Sequence, residues 1–117
     1  MTTPLKIDAR AEGKETAVLS LAGEVDVANA AQVRDSALKL ISSGVKRLVV
    51  DLNATEYMDS TGLGMLVGLL KRMRESGGDV LIAVARPRVK RLFEITGLIQ
   101  VFRIYDDAAA ALKEVRG

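Results

Sequence analysis

Two short apolar runs constrain this chain more than any other feature. Leu48 to Val50, inside RLVVDL, and Val80 to Val84, inside DVLIAVA, show no alternation of polar and apolar residues. A strand with one wet face alternates, whereas an unbroken run of this length fits a strand covered on both faces. Between the runs, Leu63, Leu66, Val67, Leu70 and Met73 recur at i, i+3, i+4 spacing, the stripe of an amphipathic helix. Strand, helix, strand in this order predicts a parallel crossover in a sheet with helices packed on it.

The rest of the chain supplies the other elements. Leu5 to Ala11 reads as a first strand, EGKE as a turn, and TAVLSLAG as a second strand with Ala17, Leu19 and Leu21 on one face. The short Gly-containing link predicts an antiparallel hairpin. GEVDVANA leads into a helix with Ala30, Val33, Ala37, Leu40 and Ile41 at helical spacing, stopped at Gly44. The central helix opens at DSTG and closes at Gly77-Gly78. Pro87 starts a third helix at its tolerated first position, with Val89, Leu92, Phe93 and Thr96 on one face and Gly97 at its end. VFRIY reads as the last strand, and DDAAAALKEV as a final helix with acids in its first turn. The pattern is ββαβαβαβα. It predicts one α/β domain over residues 1–117: a mixed sheet with an N-terminal hairpin, about four helices, and a short flexible tail at residues 1–4.

Composition removes several functions. With 117 residues, 49% of them hydrophobic, the chain can build a core without disulfides or metals. A net charge of +2 and 3% aromatics argue against nucleic acid, whose binders carry a basic stripe and stacking rings. The one basic cluster, RPRVKR from Arg86 to Arg91, reads as a solvated helix face in preference to a phosphate patch. Cysteine is absent, so nothing points to an oxidising compartment. No apolar run reaches the roughly 18 residues of a membrane span, and MTTPLKIDAR has no signal-peptide apolar region. A cytoplasmic protein without membrane attachment is expected. Histidine is absent too, which rules out a Ser–His or Cys–His nucleophile pair and leaves zinc only carboxylates. Neither catalysis nor a cofactor is expected.

The stretch YMDSTGLG, Tyr57 to Gly64, raises the functional question. As pure structure it is a helix cap: Asp59 or Ser60 accepts hydrogen bonds from first-turn N–H groups, and the glycines permit close packing. A phosphate-binding P-loop would need a lysine that is missing here. A phosphoaspartate receiver centred on Asp51 would need a hydroxyl and a lysine where this chain has ARP and YDD. The remaining alternative is a modification switch. Exposed N–H groups and the helix dipole favour an anion at a helix start, so a phosphate on Ser60 would not melt the fold. It would add about −1.5 to −2 of charge where a partner could dock.

The pieces AGEVDVANA (Ala22 to Ala30), LVVDL (Leu48 to Leu52), YMDSTGLGMLVGLLKRMRESGG (Tyr57 to Gly78) and RLFEITGL (Arg91 to Leu98) resemble, in order and spacing, bacterial anti-sigma factor antagonists of the STAS-domain family. The resemblance implies a protein that binds an anti-sigma factor, usually also a serine kinase of the histidine-kinase-like ATPase fold, and so frees the sigma factor. It implies Ser60 as the phosphoacceptor, phosphorylation that abolishes binding, and a PP2C-type phosphatase that restores it. Asp59 falls on the motif acid, Thr61 on the second hydroxyl, and Gly62 and Gly64 on the motif glycines. Asp26 falls on the family's acid near the partner interface and reads equally well as a cap or turn residue before the first helix. The resemblance leaves two other roles open, a STAS scaffold subunit of a stress-signalling assembly and a soluble STAS accessory subunit of a membrane transporter. A monomer or weak dimer is expected.

The central helix suggests where a partner docks. At ~100° per residue, Gly64, Met65 and Gly68 point away from the apolar stripe and Leu69 lies at its margin. Each exposed helix glycine costs about 1 kcal/mol relative to alanine, a poor choice unless something approaches closely. Gly64, Met65, Gly68 and Leu69 are therefore the predicted docking surface, with Ser60 at its edge.

Overall fold

The computed structural model describes residues 4–116. The tail expected at 1–4 lies outside them except for Pro4, which is exposed. Strands β1 (Lys6–Ala11) and β2 (Thr16–Val25) form the expected antiparallel hairpin. Helix α1 (Ala30–Ser42) crosses to β3 (Arg47–Asp51), which lies parallel to β2. Next come β4 (Thr55–Met58), helix α2 (Ser60–Glu75), β5 (Asp79–Ala83), helix α3 (Pro87–Ile95), a 3₁₀ turn at Leu98–Gln100, β6 (Arg103–Tyr105) and helix α4 (Ala108–Arg116). The six-stranded mixed sheet has the order β1-β2-β3-β5-β6, with β4 pairing β2 off this path.

The apolar runs behave as expected: Leu48, Val49, Val50, Val80, Leu81, Ile82, Ala83 and Val84 are all fully buried. They are covered on both sides. Ala17, Leu19, Leu21, Leu48, Val50 and Ile82 share a core with residues of α1, α2 and α3. Val18, Val49, Leu81 and Ala83 face Ala111 and Leu112 of α4. The edge-to-face rings of Phe93 and Phe102, 5.7 Å apart, close the first core below α3.

Five expectations need correction. Helix α4 has no acid in its first turn, because Asp106 and Asp107 precede it, and Asp107 instead accepts from the Ala110 N–H at 2.8 Å. Strand β4 was missing from the sequence pattern. Only its two ends are buried, Thr55 and Met58, with Glu56 and Tyr57 exposed, so it presents neither alternation nor an apolar run. It is held by pairing to the end of β2 across an irregular register at Gly23/Glu24, and by the buried Thr55 hydroxyl donating to the Leu21 carbonyl at 2.7 Å. The last strand is shorter than VFRIY, because Val101 follows the 3₁₀ turn as its C-cap and Phe102 turns into the core. Thr96 is exposed beyond the end of α3, its hydroxyl donating to the Leu92 carbonyl at 2.6 Å. On α2, Leu69 is buried and Val67 only half-buried. The apolar face is rotated because α1 packs alongside α2 as well as the sheet beneath it.

Glycine is indispensable at Gly78. A Cβ there would stand 2.4 Å from the Lys46 carbonyl oxygen, so only a bare backbone lets the chain leave α2 beside the start of β3.

Candidate partner-binding site

Asp59 occupies the N-cap of α2 in an extended conformation, and its Oδ1 accepts from the Gly62 N–H at 3.0 Å. Its other oxygen, Oδ2, accepts from the Val27 N–H at 3.1 Å. One carboxylate therefore fixes both the start of α2 and the loop that leads into α1. That loop is tied internally as well. Asp26 Oδ1 accepts from the Ala28 N–H, the Asp26 N–H donates to Asn29 Oδ1, and Asn29 Nδ2 donates to the Glu24 carbonyl, all at 2.8–2.9 Å. Asp26 is thus the turn residue foreseen by one of its two readings, partly buried and joined to the α2 start through Val27 and Asp59.

Ser60 is the first residue of α2 and is exposed, and its hydroxyl makes no hydrogen bond to any described residue. The capping work falls to Asp59, which leaves the serine oxygen accessible to chemistry. Thr61, also exposed, lines a hollow of about 290 Å³ with Val27, Ala30, Ala31, Arg34 and Met65. A second hollow of about 400 Å³ continues it along the helices, lined by Arg34, Leu38, Gly64, Met65, Gly68, Leu69 and Arg72. Arg34 and Met65 belong to both, so the two hollows form one groove between α1 and α2, beginning one residue from Ser60.

The predicted surface residues separate into two groups. Gly64 and Gly68 are exposed, and a Cβ at either would meet nothing within 4 Å. Nothing within the domain requires a glycine at these positions. Met65 is half-buried in the groove. Leu69, by contrast, is only 2% exposed and forms the groove floor instead of its surface. Gly62 is buried, and a Cβ there would lie 2.8 Å from Met58 Cγ and 3.0 Å from Val25 Cγ1. Its role is to bring α2 close to β2 and β4. The α1 side of the groove, Val27, Ala31, Arg34 and Leu38, was not foreseen. Val27 is an exposed valine, 74% accessible, in a segment that sequence alone reads as a link. Only the side-by-side packing of α1 and α2 makes it part of a site.

These elements define a class, a small α/β domain whose distinctive feature is a capped, serine-bearing helix start opening onto a groove. A family model described as STAS domain matches residues 8–111. The anti-sigma-B factor antagonist of Bacillus subtilis is 38% identical over 86 residues, covering 74% of this chain and 78% of its own. The crystal structure of an anti-sigma factor antagonist from Mycobacterium paratuberculosis has a TM-score of 0.90 at 24% identity, with 100% of both chains covered. The anti-sigma factor antagonist SpoIIAA has been solved unphosphorylated, with a TM-score of 0.84 at 24% identity over 96% of this chain and 97% of its own. It has also been solved phosphorylated, with a TM-score of 0.76 at 21% identity over 94% and 99%. The chain belongs to the STAS-domain family of anti-sigma factor antagonists.

No described helix is long and apolar enough to cross a membrane.

Proposed function

We propose that residues 1–117 act as one STAS domain that antagonises an anti-sigma factor, and that Ser60 is the switch. The observation that carries this reading is the division of labour at the α2 start. Asp59 caps the helix and anchors the α1 loop, while the adjacent Ser60 hydroxyl is exposed and unbonded. In the unphosphorylated state the partner, an anti-sigma factor with serine-kinase activity, docks over the groove between α1 and α2. Val27 and Met65 are its apolar contacts, and Gly64 and Gly68 allow close approach. The arginines at the groove, Arg34 and Arg72, suit a partner segment that carries acids beside an apolar anchor. Thr61 and Asp26 border the docked segment.

Phosphate on Ser60 acts at this edge. First-turn N–H groups and the dipole tolerate a dianion, so the domain keeps its fold. The docked partner must then desolvate or repel that charge, and the complex dissociates. A metal-dependent phosphatase of the PP2C type reverses the step. The domain itself supplies binding and no catalytic group.

The test combines the purified protein with anti-sigma factor kinases of its own genome. Complex formation is followed by chromatography and phosphorylation by intact mass with peptide mapping. A kinase that binds the unmodified protein, adds one phosphate at Ser60 with ATP and then releases it is the expected result. Phosphate mapping to Thr61, or a complex that survives modification of Ser60, overturns the assignment.

A further inference from the structure

Three of the five large hydrophobic side chains exposed among the described residues fall in one stretch, at the end of α3 and the 3₁₀ turn after it. Ile95 is 71% accessible, Ile99 36% and Val101 41%. The basic segment RPRVKR runs directly into this patch. Arg88 and Arg91 precede Ile95 by seven and four residues, so at ~100° per residue all three share one face of α3. That face is exposed, and Val89 and Phe93 form the buried one opposite.

The cations have no partner within the domain. None of Arg86, Arg88, Lys90 and Arg91 makes a side-chain ion pair or hydrogen bond with a described residue. Glu94 lies one turn from Lys90 and Arg91, and Glu56 lines a hollow of about 330 Å³ with Arg86 and Arg88, yet neither closes a bridge. By contrast, Arg74 and Arg103 both reach Asp79. The solvated face expected from the sequence would not set an isoleucine in line with these arginines. Isoleucine is also a poorer helix former than the straight-chain residues usual on such a face. Apolar side chains rimmed by charge mark a surface that meets another molecule.

From this patch we infer a second docking surface, formed by α3 and the turn after it, for a segment of a partner protein that carries acids at one end and aliphatic side chains at the other. The acids meet Arg88 and Arg91, and the aliphatic groups meet Ile95, Ile99 and Val101. Arg88 and Ile95 are about 10 Å apart along the helix axis, a span that two turns of a partner helix cover. A protein fits this surface better than a bilayer does. Interfacial helices bury projecting tryptophan, phenylalanine or leucine. The exposed patch has none of these, Ile99 and Val101 are more than half covered, and Glu94 stands exposed among the cations. Nucleic acid would find no stacking ring.

The surface is remote from the serine. Arg74 Nη2 donates to the Val101 carbonyl at 2.9 Å, which places the patch at the far end of α2 from Ser60, about 20 Å away along the helix axis. A partner bound here leaves the groove between α1 and α2 open. The inference does not rest on the reading of Ser60.

A selection from a random-peptide display library on the full chain tests it. The peptides obtained are compared on the parent, on Arg88→Glu/Arg91→Glu, on Ile95→Ser and on Lys14→Glu/Lys113→Glu, which makes the same change of charge at two exposed positions away from α3. A family rich in aspartate, glutamate and aliphatic residues is expected. It should lose at least tenfold in affinity on the first two variants, keep its affinity on the third and weaken with salt. Its amide shifts should fall on α3 and residues 98–101. Circular dichroism confirms that each variant is folded. Vesicles of phosphatidylglycerol and phosphatidylcholine should not co-sediment with the protein. A selection that yields no such family, peptides indifferent to both α3 variants, shifts confined to the groove between α1 and α2, or vesicle binding abolished by Arg88→Glu/Arg91→Glu overturns the inference.

Discussion

Asp59 and Val27 are joined by a 3.1 Å hydrogen bond from the Val27 N–H to Asp59 Oδ2. The same carboxylate caps α2 through Gly62. One side chain therefore ties the loop into α1 to the start of α2, beside the backbone bond from the Asp59 N–H to the Val25 carbonyl at 3.2 Å.

Asp59→Ala should therefore do more than remove a cap. The cap alone accounts for about 1–2 kcal/mol, and releasing the Val27 N–H adds to it, so thermal unfolding should shift down by several degrees. Amide exchange at Val27 should accelerate even where Asp59→Asn, which keeps a capping oxygen, restores most of the stability. An unchanged exchange rate at Val27 in the alanine variant would show that the loop is held by Asp26 and Asn29 alone.

Alanine should discriminate among the three glycines of α2. Gly62→Ala places a methyl 2.8 Å from Met58 Cγ and should cost about 1–3 kcal/mol through overpacking. Gly64→Ala and Gly68→Ala meet nothing within 4 Å and should each stabilise by about 0.5–1 kcal/mol through helix propensity. Urea denaturation of the three variants measures this. Destabilisation by Gly64→Ala or Gly68→Ala would mean that a packing demand within the domain, and not a partner, keeps those glycines.

Gly68→Arg should leave the unfolding midpoint close to that of the parent and weaken binding of the cognate kinase at least tenfold, about 1.4 kcal/mol. Leu69→Ala is the contrasting variant. It should cost about 2–5 kcal/mol of stability, because the side chain is part of the core. A folded Gly68→Arg variant that binds with full affinity would move the docking surface off this groove.

Phosphorylated and unmodified protein should give nearly coincident circular dichroism spectra. Amide shifts should be confined to the α2 start and the Val27 loop that shares its anchor. Loss of dispersion across the central sheet would replace the docking mechanism with local unfolding. Ser60→Ala should bind the kinase constitutively and take up no phosphate.

The sequence alone determined the elements whose signals are local. Each buried parallel strand is a run of adjacent apolar residues. Each helix carries its own period and its own start and stop signals, such as Pro87 and Gly97, and the DSTG motif places Ser60 and Asp59 at a helix start within a few residues. What the chain could not reveal locally is everything that depends on a neighbour distant in sequence. β4 has no pattern of its own, since Glu56 and Tyr57 face solvent and its hydrogen bonds come from β2. Leu69 appeared marginal on an isolated wheel and is buried because α1 lies beside it. Gly62 and Gly64 look alike in the motif, yet one is pressed against Met58 and Val25 while the other stands in open space. Helical and strand periodicity report which face of an element is apolar. Only the tertiary structure decides how many neighbours cover that face, and therefore which of its small residues serve packing and which remain available to a partner.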